Sequence, residues 1–469
     1  MYFHKSTMEF VKSEKGKDKL IYEGFEYVKQ KNLANEVVSF ECIQRRYKSA
    51  CKAKVKVLGQ EIVGRLHEHT HGPDPARKEV LKAVEKMKRR AEETEETPQQ
   101  IITQSVSCLS QDAKANLPTM HVLRRSVRRC RQQVGNPVPV PLSGEDFNIP
   151  DRYKMTNDGQ SFLLYDSGPS NKRILIFGTQ ENLRLLEINP HWFMDGTFKT
   201  APGIFTQLYT IHAFVNNRSL PCIYALLPDK KETTYNVMLT ELKNFNSNLQ
   251  PTSIMVDYEA AIINTIRDNF PNTDVKGCFF HLSQNIFRKI QEHGLQVKYQ
   301  DDSDFALQLK MIPALAFVPI QDVIKAFDAL SEILPGEAQP ILDYFEDNYL
   351  GRPQRHGRRQ PTFTIDLWNM SQRVEEELPK TNNNVEGWHK SFQSNVGCCH
   401  PNLWKFITFI QREQDLQQTH YTQAMAGHAS QPARKKYFDS HQRILKIVRD
   451  YPNRAILDFL RGIAHNLSF

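Results

Sequence analysis

Three carboxylates stand in sequence contexts where they could do chemistry together. Asp195 sits inside the apolar, β-prone run "WFMDGTFKT", Asp257 ends the apolar run of "SIMVDYEAA", and Glu386 lies in "NNNVEGWHKSF". An ionised carboxylate inside an apolar strand is costly unless something pairs with it. Two strand-borne aspartates and one helix-borne glutamate make an all-oxygen donor set, which suits Mg²⁺ or Mn²⁺. Two such ions about 4 Å apart can activate an attacking oxygen and stabilise a leaving oxygen in phosphoryl transfer. Spacing alone also allows a plainer reading, in which each acid is a turn cap or an ion-pair partner. Glu259 fits a helix N-terminus, and Asp166 and Asp229 have turn-like surroundings. His389, three residues after Glu386, either lines the site or lies at the surface.

A second constellation is soft. Cys42 and Cys51 are followed by His69 and His71, with His67 as a competitor because both H-E-H and H-T-H occur. Two thiolates and two imidazoles make a tetrahedral structural zinc site. A unit of about 70 residues often needs such a metal for stability. The alternative is an exposed polar histidine loop. Lys48, Lys52, Lys54 and Lys56 surround this segment, and the last three share one face of a strand. Further on, Arg124/Arg128 and Arg125/Arg129 share one side of a helix. Both sets could neutralise phosphates; a solvated linker helix is the equal alternative for the arginines.

The elements that must position these groups follow from pattern. Residues 5–75 alternate apolar and charged residues as half-buried strands do. Residues 76–150 read as a charged helical and proline-rich linker. From 151 onward the composition is globular: "RILIFG", "HWFMDGTF", "FTQLYTIHAFV" and "LPCIYALLP" read as strands. Then comes a helix with Thr233 suited to its N-cap, and two strand-into-helix units. This order predicts an α/β domain with one central sheet over 151–420. A mostly helical insertion spans about 296–380, an Asn run caps the helix bearing Glu386, and a helical tail covers 421–469.

The chain has 469 residues and a net charge of +8, and the excess is local. Residues 1–90 hold 21 Lys and Arg against 12 Asp and Glu; the remainder holds 40 against 41. A basic module on a neutral body suggests a polyanion partner. No run of about 18 apolar residues is present, so neither a membrane span nor a membrane partner is expected. The first residues lack the apolar stretch of a secretory signal. Eight cysteines without a regular framework argue for a reducing compartment.

The succession DGTF, D-x-E-x-A, C-x2-H and N-N-x-x-E closely resembles Mutator-like element (MULE) transposases over roughly residues 150–420. The resemblance implies a ribonuclease H-like catalytic domain with a helical insertion, and a DDE triad at Asp195, Asp257 and Glu386 holding Mg or Mn. Its C-x2-H element falls on Cys278 and His281, expected to shape the site or touch DNA rather than bind zinc. The N-terminal segment resembles the FLYWCH zinc finger through Phe10, Leu20, Gly24, Tyr27, Phe40-Glu41-Cys42, Cys51-Lys52-Ala53 and the H-x-H before a proline. Phe40 stands where that family usually has tryptophan. The "HGPD" after His71 favours His69 and His71 as ligands.

Together the resemblances imply a transposon-derived DNA-binding protein that cuts and joins DNA strands. They imply self-association in a synaptic complex and a nuclear location, with "KMKRR" and "RRSVRRCR" compatible with import signals. The competing expectation is a host-adopted, catalytically silent zinc-finger DNA-binding or chromatin regulator.

Overall fold

The computed structural model describes residues 8–12, 18–46, 50–94, 96–135, 139–427 and 435–467. The chain divides into two compact units, Met1–Pro139 and Val140–Phe469.

The first unit opens with a six-stranded antiparallel sheet whose strands lie side by side in chain order. They are β1 (Glu9–Lys12), β2 (Asp18–Tyr22), β3 (Phe25–Asn32), β4 (Val38–Cys42), β5 (Lys54–Leu58) and β6 (Glu61–Leu66). The β2–β3 hairpin turns on Glu23 and Gly24, with φ of 54° and 79°; two positive φ values match the right-handed twist of the flanking strands. A side chain at Gly24 would place its Cβ 2.8 Å from the Pro73 side chain, and the Gly24 carbonyl accepts the Asp74 N–H at 2.8 Å. The turn therefore holds down the chain just beyond His71. Alternation buries Leu20, Tyr27, Phe40, Val55 and Val57 in a small core that also contains Cys42 and Cys51.

Four helices follow: α1 (Arg77–Glu93), α2 (Pro98–Val106), α3 (Gln111–Ala115) and α4 (Met120–Gly135). Asp74 Oδ1 accepts the Ala76 and Arg77 N–H groups as α1 begins, and Thr97 and Gln100 form a capping box on α2. Ala83, Met87 and Ala91 of α1 pack on Ile101, Ile102, Leu123 and Val127. The stretch expected to be a linker thus folds around its own apolar core; its short, spaced apolar residues are masked in sequence by the charges between them.

The second unit is built on a seven-stranded mixed sheet with the order β13-β12-β9-β10-β11-β8-β7. Its strands are β7 (Leu163–Asp166), β8 (Leu175–Phe177), β9 (His191–Thr197), β10 (Gln207–Val215), β11 (Arg218–Leu227), β12 (Ser253–Val256) and β13 (Asp274–Gly277). Strands β9, β12 and β13 run parallel, whereas β9, β10 and β11 form an antiparallel meander. The helices α5 (Gln180–Ile188), α6 (Glu232–Phe245), α7 (Ala260–Asn269) and α8 (Phe279–Glu292) are interleaved with these strands. Lys231, not Thr233, takes the N-cap position of α6; Asp229 accepts from the Lys231 N–H and the Thr234 hydroxyl instead.

Then come α9 (Gln296–Asp301), α10 (Ser303–Ala314), α11 (Val323–Ile333), α12 (Gln339–Phe345), α13 (Ile365–Trp368) and α14 (Ser371–Glu375). After this insertion the chain returns to the sheet with α15 (Asn383–Val396) and α16 (Leu403–Met425), and ends with α17 (Lys435–Arg449) and α18 (Ile456–Ala464). Val448, Leu460 and Ile463 of the last two helices share the apolar core of the insertion with Phe317, Phe345 and Trp368.

Candidate functional site

In the first unit, Cys42, Cys51, His69 and His71 present ligand atoms that all lie within 4.8 Å of one another. Cys42 ends β4 and Cys51 lies on the chain entering β5; both are fully buried. Cys42 Sγ is 3.2 Å from His71 Nε2, Cys51 Sγ is 3.4 Å from His69 Nδ1, and those two nitrogens are 3.3 Å apart. Zinc bonds of 2.0–2.1 Å to nitrogen and 2.3 Å to sulfur would set tetrahedral neighbours about 3.3–3.8 Å apart, so the four groups fit that ion. The other ring nitrogens are spoken for. His71 Nδ1 faces the Gly72 carbonyl at 3.0 Å, which can only accept, so His71 keeps its proton there and offers Nε2. His69 Nε2 lies 2.8 Å from the Tyr27 hydroxyl, and its ring stacks on Phe25 at 3.5 Å. Such outer partners fix tautomer and orientation. Burial pushes the Cys42 thiol up to about 11. Cys51 is also raised by burial, but the Ala53 and Thr70 N–H groups pull it down overall. His67 is exposed and outside the cluster.

In the second unit, strand alternation carries the acidic groups to one face of the sheet. Trp192 and Met194 point into the core that holds α5, α6 and α7. Phe193 packs on the opposite face with Met255, Cys278 and Val385. Two residues beyond Phe193 is Asp195, and two beyond Met255 is Asp257. Glu386 arrives on the first turn of α15.

Asn382 is what fixes α15 there. It occupies the N-cap position without capping the helix. Its side chain donates to the Met194 carbonyl at 3.1 Å, and its backbone N–H donates to Cys278 Sγ at 3.2 Å. The expected Asn cap is thus a bracket between strand and helix: its NH₂ is turned to the Met194 carbonyl, and Oδ1 accepts no helix N–H. Cys278, fully buried, is anchored in turn by its own N–H to the Val256 carbonyl at 2.8 Å.

His281 stands between two of the acids: Nδ1 is 2.8 Å from Asp257 Oδ1, and Nε2 is 3.6 Å from Glu386 Oε1. Burial opposes a proton on His281, but Asp257 and Cys278 outweigh it and raise the imidazole to about 11. Burial raises the Glu386 carboxyl; His281 and Lys390 counter this, while Asp195 and Asp257 add to it. Asp257 Oδ1 and Glu386 Oε1 are buried without an aligned hydrogen bond. Among the described residues the acids do not form a group as tight as the Cys/His cluster.

Asp195 is 8% exposed; Oδ1 accepts the Gly196 N–H at 2.7 Å and Oδ2 lies 3.2 Å from His389 Nδ1. His389, also 8% exposed, therefore lines the site. Thr210, paired with Asp195 across β9 and β10, and His212 lie beside it. Sequence reasoning passed over these two; the signal was a pair of polar residues two apart in the otherwise apolar "QLYTIHAFV".

Other acids are committed elsewhere. Glu259 takes a hydrogen bond from Tyr235 at 3.0 Å and an ion pair from Lys230, and Asp166 pairs with Arg173 through two bonds of 2.8 and 2.6 Å.

Lys48 lies outside the described residues. Lys52 is exposed just before β5, and Lys54 and Lys56 alternate with buried Val55 and Val57. Arg124, Arg125, Arg128 and Arg129 are all exposed on α4, while Leu123 and Val127 are buried. Arg131 is used internally, donating to the Ala91 and Thr94 carbonyls.

Comparison with known families agrees with this division. Residues 10–71 match the FLYWCH zinc finger domain, a span containing all four cluster residues. Residues 191–285 match the MULE transposase domain, a span containing Asp195, Asp257, Cys278 and His281. No curated protein matches the chain. The chain thus joins a FLYWCH zinc finger domain over residues 10–71 to a MULE transposase domain over residues 191–285.

Proposed function

We propose that the second unit is a DDE-type DNA transposase domain of ribonuclease H-like topology, with Asp195, Asp257 and Glu386 as its catalytic carboxylates. The observation that carries this is the gathering of the three acids from β9, the residue just past β12 and α15, with Asp257 Oδ1 and Glu386 Oε1 buried around the single imidazole of His281. One imidazolium offsets only part of the charge of three gathered carboxylates, and a divalent cation would offset the rest. The meander of β9, β10 and β11 leading to parallel β12 and β13 supports the topology.

The oxygen-only donor set fits Mg²⁺ or Mn²⁺, held by Asp195, Asp257 and Glu386. Such ions, when bound, supply Lewis-acid activation of an oxygen nucleophile and stabilise the leaving oxygen. The chain's own residues do the rest. Asn382 and Cys278 set the position of α15, and Gly196 and His389 hold the Asp195 carboxylate. Lys390, 3.8 Å from Glu386 and exposed, is placed to meet a phosphate. The zinc finger and the arginine face of α4 bind DNA, the site works in a self-associated synaptic complex, and the protein acts in the nucleus.

A second reading is a DNA-binding regulator that keeps the fold without cutting. It is favoured by His281, whose imidazole stands between Asp257 and Glu386, and by acids less closely gathered than the zinc ligands. The deciding experiment is Mn²⁺ binding and DNA nicking by the native protein, Asp195→Ala, Asp257→Ala and Glu386→Ala, with folding checked for each. Nicking lost in all three folded variants establishes the transposase reading. A native protein that binds DNA but neither binds Mn²⁺ nor nicks establishes the regulator.

A further inference from the structure

A buried hydrogen-bond chain runs from the middle of β10 to the Asp195 carboxylate. His212 Nε2 lies 2.9 Å from Thr210 Oγ1, Thr210 Oγ1 lies 3.1 Å from His389 Nε2, and His389 Nδ1 lies 3.2 Å from Asp195 Oδ2. All four residues are at least nine-tenths buried. The Thr210 hydroxyl also approaches the Asp195 backbone carbonyl at 3.4 Å, farther than its approach to His389.

The proton positions along this chain follow from donor and acceptor chemistry. Asp195, when ionised, only accepts, so the His389 nitrogen facing it must carry a proton. A neutral imidazole then offers Nε2 as an acceptor, and the Thr210 hydroxyl spends its single proton there. The Thr210 oxygen is left to accept, and His212 supplies an N–H from Nε2. His212 Nδ1 makes no aligned hydrogen bond, although the Ser219 backbone beside the ring favours a proton there. A second layer holds the helix side: Trp388 Nε1 donates to Glu413 at 2.7 Å, and Gln417 donates to the same oxygen at 2.6 Å.

We propose that His389 is a positioning residue whose Nδ1–H, with Thr210 seated on the other ring nitrogen, locks the Asp195 carboxylate in the rotamer that presents it to a divalent cation. The consequence for metal binding rests on the transposase reading; the tautomer does not. Aspartate on a strand has a free χ2, and an outer partner removes that freedom at little entropic expense because the imidazole is itself held at both nitrogens.

The test uses the full chain labelled with ring-¹⁵N histidine. The native His389 signal, assigned by its loss in His389→Asn, is expected to show the Nδ1–H tautomer, and Asp195→Ala, which removes the acceptor, is expected to convert it to a tautomer mixture. An Nε2–H tautomer at His389, or no change in folded Asp195→Ala, overturns the proposal. Mn²⁺ affinity provides the second arm. His389→Asn, which keeps an N–H near the Nδ1 position, is expected to stay within about threefold of native, and His389→Leu to lose about 10–100-fold. Equal affinity in all three folded proteins overturns the positioning role. A native protein that binds no Mn²⁺ counts against the transposase reading, while the tautomer result still decides the relay.

Discussion

The zinc cluster and the carboxylate site are opposite solutions to placing charge in a protein. The cluster takes four ligands from within 30 residues of chain, gathers their atoms within 4.8 Å of one another and gives each histidine an outer partner. The proposed carboxylate site draws on residues separated by up to 191 positions, and sets the His281 imidazole between Asp257 and Glu386. A closed shell of ligands suits a structural ion, whereas a working site must keep positions open. The difference teaches that the first site is complete in itself, whereas the second, on the transposase reading, would be completed by a cation.

The strongest way to break this comparison is to remove the zinc. Chelation, or Cys42→Ser, is expected to unfold the sheet of the first unit, because structural zinc in small fingers contributes about 10–16 kcal/mol of apparent binding free energy at neutral pH. The readout is loss of one bound zinc per chain together with loss of protection of the β2–β5 amides in hydrogen exchange; protection that survives metal loss breaks the contrast.

Next in size is Glu26→Gln. Glu26 is 7% exposed and sits between Lys19 and Arg77, the latter at 2.6 Å. Burial raises its carboxyl, but the two cations outweigh this and hold it below the usual range. A depressed native pKa means the stabilisation is present above the unfolded value of about 4.3 and lost as pH falls through the native one. The substitution is expected to cost about 1.5–3 kcal/mol near neutrality and to flatten the loss of stability below about pH 4, read from denaturant unfolding at several pH values.

Asn382→Ala sharpens the other side. It removes the bond to the Met194 carbonyl and leaves that buried acceptor unpaired, at a cost of about 1–3 kcal/mol. Because the bracket sets α15, Mn²⁺ affinity should fall along with stability; a stability loss with unchanged affinity would show that Glu386 is placed by other contacts. Gly24→Ala should cost about 1 kcal/mol or more, since φ is 79° and the new Cβ would meet Pro73 at 2.8 Å. Its melting temperature should drop in parallel with zinc affinity. The smallest effect is expected from Arg128→Ala on α4: each phosphate that is no longer neutralised lowers the salt slope of DNA binding by about one, so an unchanged slope would remove α4 from the DNA surface.

How much of each site was legible beforehand differs for the same physical reason. The cluster residues Cys42, Cys51, His69 and His71 could be named because soft ligands close together in chain announce themselves by type and order, and the finger is short. A two-residue shift preserves H-x-H, so His67 competed; the HGPD after His71 favoured His69 and His71, and the structure leaves His67 exposed outside the cluster. Asp195 stood out as a charge inside an apolar run, and Asp257 as one at the end of another. His389, Thr210 and His212 did not, because nothing local distinguishes a polar residue that faces a carboxylate from one that faces solvent.

The alternation of apolar and polar residues determined by itself that β9, β12 and β13 would be buried strands and that Asp195 and Asp257 would emerge near their ends. Periodicity is local, so it can be read along the chain. The tertiary structure alone decided three other things: that the supposed linker is a packed helical cluster, that Asn382 brackets rather than caps α15, and that His281 and His389 each face an acid from a different element. These depend on register across β9 and β10 and on where α15 lands. Both are set by side-chain packing between residues distant in sequence, which no single segment encodes.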